Sequence, residues 1–86
     1  MPDAFIWYHA DDTQEPALLK WLDEVEASAG VRGKLYLRKQ DDKTTFMEAY
    51  TEVSAATIRR IERLAKKQPV FEHIARRCES FIEITC

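Results

Sequence analysis

The chain has 86 residues, of which 45% are hydrophobic and 33% are charged. This is the composition of one ordinary globular domain, which we expect to span residues 1–86. The formal net charge of −2 gives no support for a general polyanion-binding protein.

The expected cellular location and metal content rest on features that the sequence lacks. No apolar run approaches the ~20 residues that cross a bilayer, and Met-Pro-Asp does not begin a signal peptide. Cys78 and Cys86 lack the CxxC or Cys/His spacing of a zinc site. Two free thiols suit a reducing compartment. We therefore expect a cytoplasmic protein without a membrane segment, a metal or a cofactor.

The first half of the chain predicts a strand, a helix and a second strand. Residues 4–9 are dense in aromatic and β-branched side chains, which is typical of a buried strand. Asp12 and Glu15 form a capping-box pattern, with Pro16 in the first turn of the helix that follows. Gly30 suits a left-handed helix end. Residues 31–39 alternate between apolar and polar side chains, as a strand does.

The second half predicts a hairpin partner, a second helix and a last strand. Residues 40–42 are a turn signal, and residues 43–53 form the central strand. Ser54 is the expected N-cap of the second helix, which Gln68 and Pro69 terminate. We expect a short helical segment over residues 69–75, with Pro69 as its first residue, and a closing strand over residues 81–85.

The order β-α-β-β-α-β predicts a ferredoxin-like α+β fold, with an antiparallel sheet in strand order 4-1-3-2 and both helices on one face. The side chains expected beneath the helices are Ile6, Tyr8, Leu35, Leu37, Met47, Ala49, Ile82 and Ile84. Those expected on the open face are Phe5, Trp7, His9, Tyr36, Arg38, Phe46, Glu48, Tyr50, Phe81 and Glu83.

An uncovered face with many large aromatic side chains indicates a binding surface. A domain of this size buries only about 60% of its unfolded surface, so a second copy would supply the core that it lacks. We therefore expect a homodimer in which two sheets stack face to face. The expected interface residues are Phe5, Phe46, Tyr50 and Phe81.

The same face could hold a small planar or acidic ligand. The candidates for lining such a cavity are Trp7, His9, Tyr36, Arg38, Glu48, Tyr50 and Glu83. His9 could act as a general base, and Arg38 could hold a carboxylate or enolate oxygen. A purely structural interpretation is also available, in which Arg38 pairs with Glu48 across the hairpin or with Glu83 of a second copy. Whether the protein is an enzyme stays open.

The opening Phe5-Ile6-Trp7-Tyr8 and the central Phe46-Met47-Glu48-Ala49-Tyr50-Thr51-Glu52 carry a resemblance. The chain resembles the dimeric α+β-barrel superfamily, near its antibiotic-biosynthesis-monooxygenase-like domains. Within that group it is most similar to a small bacterial family of unknown function, whose members have a Tyr-Val-Tyr-Tyr-like first strand and a Trp-Met-Glu-Val-Tyr-Glu-like central strand. The resemblance implies a bacterial homodimer.

The family resemblance and the order of the elements leave two alternative functions to consider. The superfamily resemblance implies that a cofactor-free monooxygenase or isomerase is possible, but the chain has no asparagine and does not match the Asn, Trp and His set of haem-degrading members. The βαββαβ order is also that of RNA-recognition motifs, which stack bases on strand aromatics. The chain lacks the glycine-containing signature of those motifs, and Glu48 would repel phosphates. We therefore expect no nucleic-acid partner.

Overall fold

A computed structural model describes residues 1–84 and shows the predicted ferredoxin-like α+β fold. The elements are β1 (Asp3–His9), α1 (Glu15–Ala29), β2 (Lys34–Gln40), β3 (Lys43–Tyr50), α2 (Ala55–Ala65) and β4 (Arg77–Phe81). The four strands form one antiparallel sheet in the order β2-β3-β1-β4, which is the predicted 4-1-3-2 read in reverse. Thr85 and Cys86, which include the end of the predicted last strand, lie outside the described residues.

The local signals that delimit the elements are largely confirmed. Gly30 ends α1 in the left-handed conformation (φ 75°), and its N–H donates to the carbonyl of Glu26. The Ser54 side chain caps α2 by accepting a hydrogen bond from the Thr57 N–H. The start of α1 differs slightly, because the Asp11 side chain caps a short 3-10 turn over Asp12–Gln14 and the helix begins only at Glu15.

The turn between β2 and β3 has the geometry that the twist of a hairpin requires. Asp41 and Asp42 both have positive φ, at 53° and 61°. Two consecutive residues in this conformation are characteristic of a type I′ turn, and aspartate tolerates it better than most side chains do. The turn fixes the hairpin register, which places Leu37 opposite Phe46 and Leu35 opposite Glu48.

The prediction for the two faces of β3 is wrong. Register places Phe46 beside Tyr8 and Glu48 beside Ile6, so Phe46, Glu48 and Tyr50 lie beneath the helices and are at most 1% exposed. Met47 and Ala49, predicted to face the helices, lie on the open face instead. The physical reason is size, because burying two large aromatic rings removes more apolar surface from water than burying a methionine and an alanine.

The end of the chain also differs from the prediction. β4 covers Arg77–Phe81 rather than residues 81–85, and Ile82 and Ile84 follow it with 78% and 90% of their surfaces exposed. The short helix predicted over residues 69–75 begins at Pro69 as expected but is reduced to a 3-10 turn at Pro69–Phe71. His73 then takes a positive φ of 66°, which a continuing helix cannot accommodate.

The core lies between the sheet and the two helices. Ala4, Ile6 and Tyr8 of β1 pack against a set of buried helix and turn side chains. That set comprises Leu18, Trp21, Leu22, Val25, Val53, Ile61, Ala65 and Phe71. Leu35 and Leu37 also lie on the helix side as predicted, although Leu37 is 46% exposed at the sheet edge.

Gly33 precedes β2 at a point where the core leaves no room for a side chain. A Cβ atom there would lie 2.5 Å from Cε1 of the buried Tyr50 ring. We expect Gly33→Ala to lower the free energy of unfolding by about 1–3 kcal/mol, the usual cost of overpacking. Urea denaturation followed by circular dichroism measures this change. The same substitution should lower the free energy of unfolding by less in a Tyr50→Leu background. An equal decrease in both backgrounds would contradict the steric explanation.

Candidate functional site

Two places in the fold gather polar and aromatic side chains: a buried cluster around Glu48 and a depression on the open face. Glu48 points into the core from β3 and is completely buried. Three neutral groups donate hydrogen bonds to its carboxylate. The Tyr8 hydroxyl lies 2.7 Å from Oε2, the Tyr50 hydroxyl 2.8 Å from Oε1, and Trp21 Nε1 3.1 Å from Oε1.

Arg76 supplies the positive charge that this buried carboxylate needs. Its guanidinium binds Glu48 through both terminal nitrogens, with Nη1 2.7 Å from Oε2 and Nη2 3.2 Å from Oε1. The same group also donates to Glu62 of α2, at 2.8 Å from Nη2 to Oε1. The Arg76 side chain is only 7% exposed. A buried charge pair is tolerated when its remaining hydrogen-bonding positions are also filled, and that condition is met here.

Aromatic rings hold the guanidinium in place. Its central carbon lies 4.2 Å from the centroid of the Phe71 ring, at the distance of a cation–π contact. Phe71 in turn packs edge-on against Tyr8 and Trp21, each at a centroid distance of 5.3 Å. The 3-10 turn at Pro69–Phe71 therefore positions both the ring and the arginine that follows it.

The polar groups of this cluster are paired with one another rather than available for a reaction. Within residues 1–84 no buried side-chain nitrogen or oxygen lacks a hydrogen-bond partner. Burial raises the pKa of the Tyr8 and Tyr50 hydroxyls far above the ordinary value, and the negative charge of Glu48 raises it further. These tyrosines are therefore fixed donors, and Glu48 has no free access to a ligand. The cluster holds β1, α1, β3 and the start of β4 together.

The open-face depression has a volume of about 440 Å³ and lies over the middle of the sheet. Trp7 of β1, Tyr36 and Arg38 of β2, and Thr45 and Met47 of β3 line it, with Glu79 of β4 at its edge. Register explains the grouping, because Trp7 and Tyr36 each lie opposite Met47 on one face of the sheet. Arg77 covers the outer side of Trp7, with its guanidinium 5.1 Å from the ring centroid.

The structure brings together three of the predicted ligand-lining residues, Trp7, Tyr36 and Arg38. His9 lies beside them on the same face, where its Nδ1 is 3.0 Å from the Thr45 hydroxyl. Phe5 and Phe81, two of the predicted interface residues, also share this face, with ring centroids 5.7 Å apart.

The remaining predicted site residues lie elsewhere. Phe46, Glu48 and Tyr50 lie on the opposite side of the sheet, and the exposed Glu83 follows the last strand. The proposed pairing of Arg38 with Glu48 is wrong because the two side chains are on different faces. Sequence reasoning missed Arg76 and Trp21. A carboxylate between two aromatic residues in a core strand was the available signal, since its burial demands a distant cation.

Metal binding and membrane insertion can be examined only within the described part of the chain. Across residues 1–84, no three His, Cys, Asp or Glu side chains come together in a way that could hold a metal ion. Neither helix in that range is long and apolar enough to cross a membrane.

Comparisons with known proteins support the fold. No model of a known protein family matches the sequence, and no curated protein matches it significantly. The de novo designed protein Foldit4 is similar in structure, with a TM-score of 0.75 and 15% identity over 96% of this chain and 98% of that one. The C-terminal domain of the MgtC protein from Mycobacterium tuberculosis has a TM-score of 0.62 and 12% identity, over 94% of this chain and 88% of that one.

A third structure leads to the same conclusion. A candidate PII-like signalling protein from Thermus thermophilus has a TM-score of 0.57 and 14% identity, over 94% of this chain and 86% of that one. At such low identity these structures establish a shared ferredoxin-like α+β fold. They do not carry an activity from one protein to another, because one fold hosts many functions.

The buried ion pair yields a test of its structural role. We expect Arg76→Met to lower the free energy of unfolding by about 3–5 kcal/mol, because it leaves the Glu48 charge buried without its partner. Arg77→Met is the matched control, since Arg77 is exposed and its guanidinium lies over Trp7 on the open face. Urea denaturation of both variants measures the difference. Equal stability of the two variants would show that Arg76 does not compensate Glu48.

The two buried tyrosines yield a pH prediction. Their native pKa values lie above those of the unfolded chain, so the unfolded state loses its tyrosine protons first. The stabilisation is complete below about pH 10 and is lost progressively as the pH rises further. In a Tyr36→Phe variant only Tyr8 and Tyr50 remain of the three tyrosines. We expect tyrosinate absorbance to appear together with loss of the circular dichroism signal. Tyrosinate that forms in a still-folded protein would contradict the prediction.

Proposed function

We propose that this protein is a homodimer that binds a small planar, acidic molecule between its two open sheet faces. The observation that carries the proposal is the uncovered face itself. Tyr36 and Phe81 are 49% and 55% exposed there, and Phe5, Trp7 and Met47 are only partly covered. Contiguous apolar surface of this kind marks a binding site in soluble proteins.

The dimensions of the molecule suit a second copy as the partner. The Cα atoms extend over 38 × 29 × 18 Å, so the molecule is about half as thick as it is long. A standard stable interface buries roughly 800 Å² per partner, so most of one broad side of so small a molecule takes part in such an interface. A twofold arrangement uses the same patch on both chains, so one apolar face is sufficient.

The depression on the open face is the place where we propose that the small molecule binds. Its 440 Å³ is within the roughly 300–1,000 Å³ of small-molecule pockets. Trp7 and Tyr36 are flat surfaces for a planar group to stack against. The exposed Arg38 at its edge forms no ion pair within 4 Å among residues 1–84, and its guanidinium can bind a carboxylate through two parallel hydrogen bonds.

The proposed dimer is the arrangement that the resemblance to the dimeric α+β-barrel superfamily implies, so we extend the proposal to that group and to a bacterial cytoplasmic protein. No observation favours the two alternative functions. The RNA-recognition interpretation needs stacking aromatics on β3, but Phe46 and Tyr50 are in the core. A monooxygenase or isomerase needs a reactive group over the depression, and His9, the one imidazole within the four strands, is not among the residues that line it.

Sedimentation equilibrium tests the dimer. We expect the wild-type protein to be a dimer at micromolar concentration, and Tyr36→Ser with Phe81→Ser to raise the dissociation constant at least about tenfold, because interface aromatics contribute more than their neighbours. Leu19→Ser is the matched control, since Leu19 is 45% exposed on α1, away from the sheet face. A monomeric wild type, or equal weakening by the control, would overturn the face-to-face dimer.

Native mass spectrometry of the protein purified without added ligand tests the pocket. We expect a dimer that carries a reproducible additional small-molecule mass, and we expect Arg38→Met to lose that mass while remaining dimeric. Lys34→Met, which removes a charge on the same face of β2 but outside the depression, should retain it. A wild-type dimer with the mass of two bare chains would be consistent with the proposed interface but would overturn the proposed ligand site.

A further inference from the structure

The chain continues past β4 with strand-forming residues that have no partner in their own sheet. β4 ends at Phe81, which lies opposite Asp3, the first residue of β1. The preceding residue, Pro2, has no N–H to donate. Its carbonyl already accepts a hydrogen bond from the Val53 N–H at 2.9 Å. Residues 82–84, which we term the C-terminal arm, therefore leave the sheet because β1 offers no further pairing positions.

The side chains of the arm are unusual for a segment exposed to water. Ile82 and Ile84 are 78% and 90% exposed, and Glu83 separates them. β-Branched residues at every second position are typical of a strand with one apolar face. The arm thus has the pattern of a strand whose apolar face is uncovered in the single chain.

The arm does not cover the open-face depression of its own chain. β4 starts at Arg77, opposite Trp7, and runs towards Asp3, so the arm leaves the sheet about 13 Å from Trp7 at 3.3 Å per residue. β4, which leads into the arm, also runs away from the depression. The arm and the depression, about 13 Å apart, do not meet within one chain, and a second copy can bring them together.

We infer that, in the homodimer proposed above, the arm of each copy lies across the open face of the other copy and forms one wall of the ligand cavity. Ile82 and Ile84 contact the partner's Trp7 and the partner's Met47. This contact leaves the Arg38 end of the depression open for the acidic group of the ligand. The exchange is reciprocal, as a twofold axis requires, and it makes each cavity incomplete without the second copy. This inference rests on the proposed function, because it needs the dimer.

The first test removes the apolar character of the arm. We expect the double variant Ile82→Ser, Ile84→Ser to raise the dimer dissociation constant at least about tenfold in sedimentation equilibrium, because apolar side chains buried at an interface dominate its stability. The matched control Glu83→Gln, which changes the intervening polar residue, should leave it unchanged. An unchanged dissociation constant in the double variant would overturn the proposed position of the arm but not the proposed dimer. A monomeric wild type would overturn both proposals.

The second test locates the arm by cross-linking. In a Cys78→Ser, Cys86→Ser background, chains with Ile84→Cys are mixed with chains with Met47→Cys under mild oxidation. We expect the mixed disulfide to form faster than the same disulfide between Ile84→Cys and Leu19→Cys chains, because Leu19 lies on α1 away from the open face. Preferential cross-linking of Ile84→Cys chains with each other would show that the two arms pair together and would overturn the proposed position.

Discussion

The buried pair of Glu48 and Arg76 is the interaction on which the rest of the structure depends. One carboxylate accepts hydrogen bonds from β1, α1 and β3 and from the residue that precedes β4. Arg76 is adjacent to Arg77, the first residue of β4, so anchoring the guanidinium also fixes where the last strand begins. A network of this kind is satisfied in only one arrangement of the surrounding elements, and a shift of one element would leave charges unpaired in the core.

The same pair determines the shape of the opposite face. Because successive side chains of a strand alternate, turning Glu48 inward turns its neighbours Met47 and Ala49 outward. These side chains are smaller than the Trp7 and Tyr36 rings on either side of Met47 in the sheet. The middle of the face is therefore lower than its flanks, and the result is the 440 Å³ depression. The inward orientation of Glu48 in the core thus produces the concave surface on which the proposed ligand site depends.

The sequence was sufficient for the element order, the strand order and most helix ends, because these depend on signals within a few residues. It was insufficient for the face of β3, where both alternations contain apolar residues and a carboxylate normally indicates the solvent side. Only its contact with Arg76, 28 residues further along, makes Glu48 a core residue. The start of β4 was missed for a related reason. Its polar residues 77–80 pair with β1, whereas the apolar Ile82 and Ile84 that suggested a strand lie beyond the end of β1.

Stability and the proposed binding function are carried by opposite sides of one sheet. The helix side contains the carboxylate cluster and nearly all of the fully buried side chains, so substitutions there alter the fold first. On the open side, Tyr36, Arg38 and Phe81 are exposed, and removing them deprives the core of little packing. Most of the packing within the single chain lies on the helix side. Aromatic side chains retained on the other side therefore require a reason outside the single chain, and a second copy that encloses a ligand supplies one.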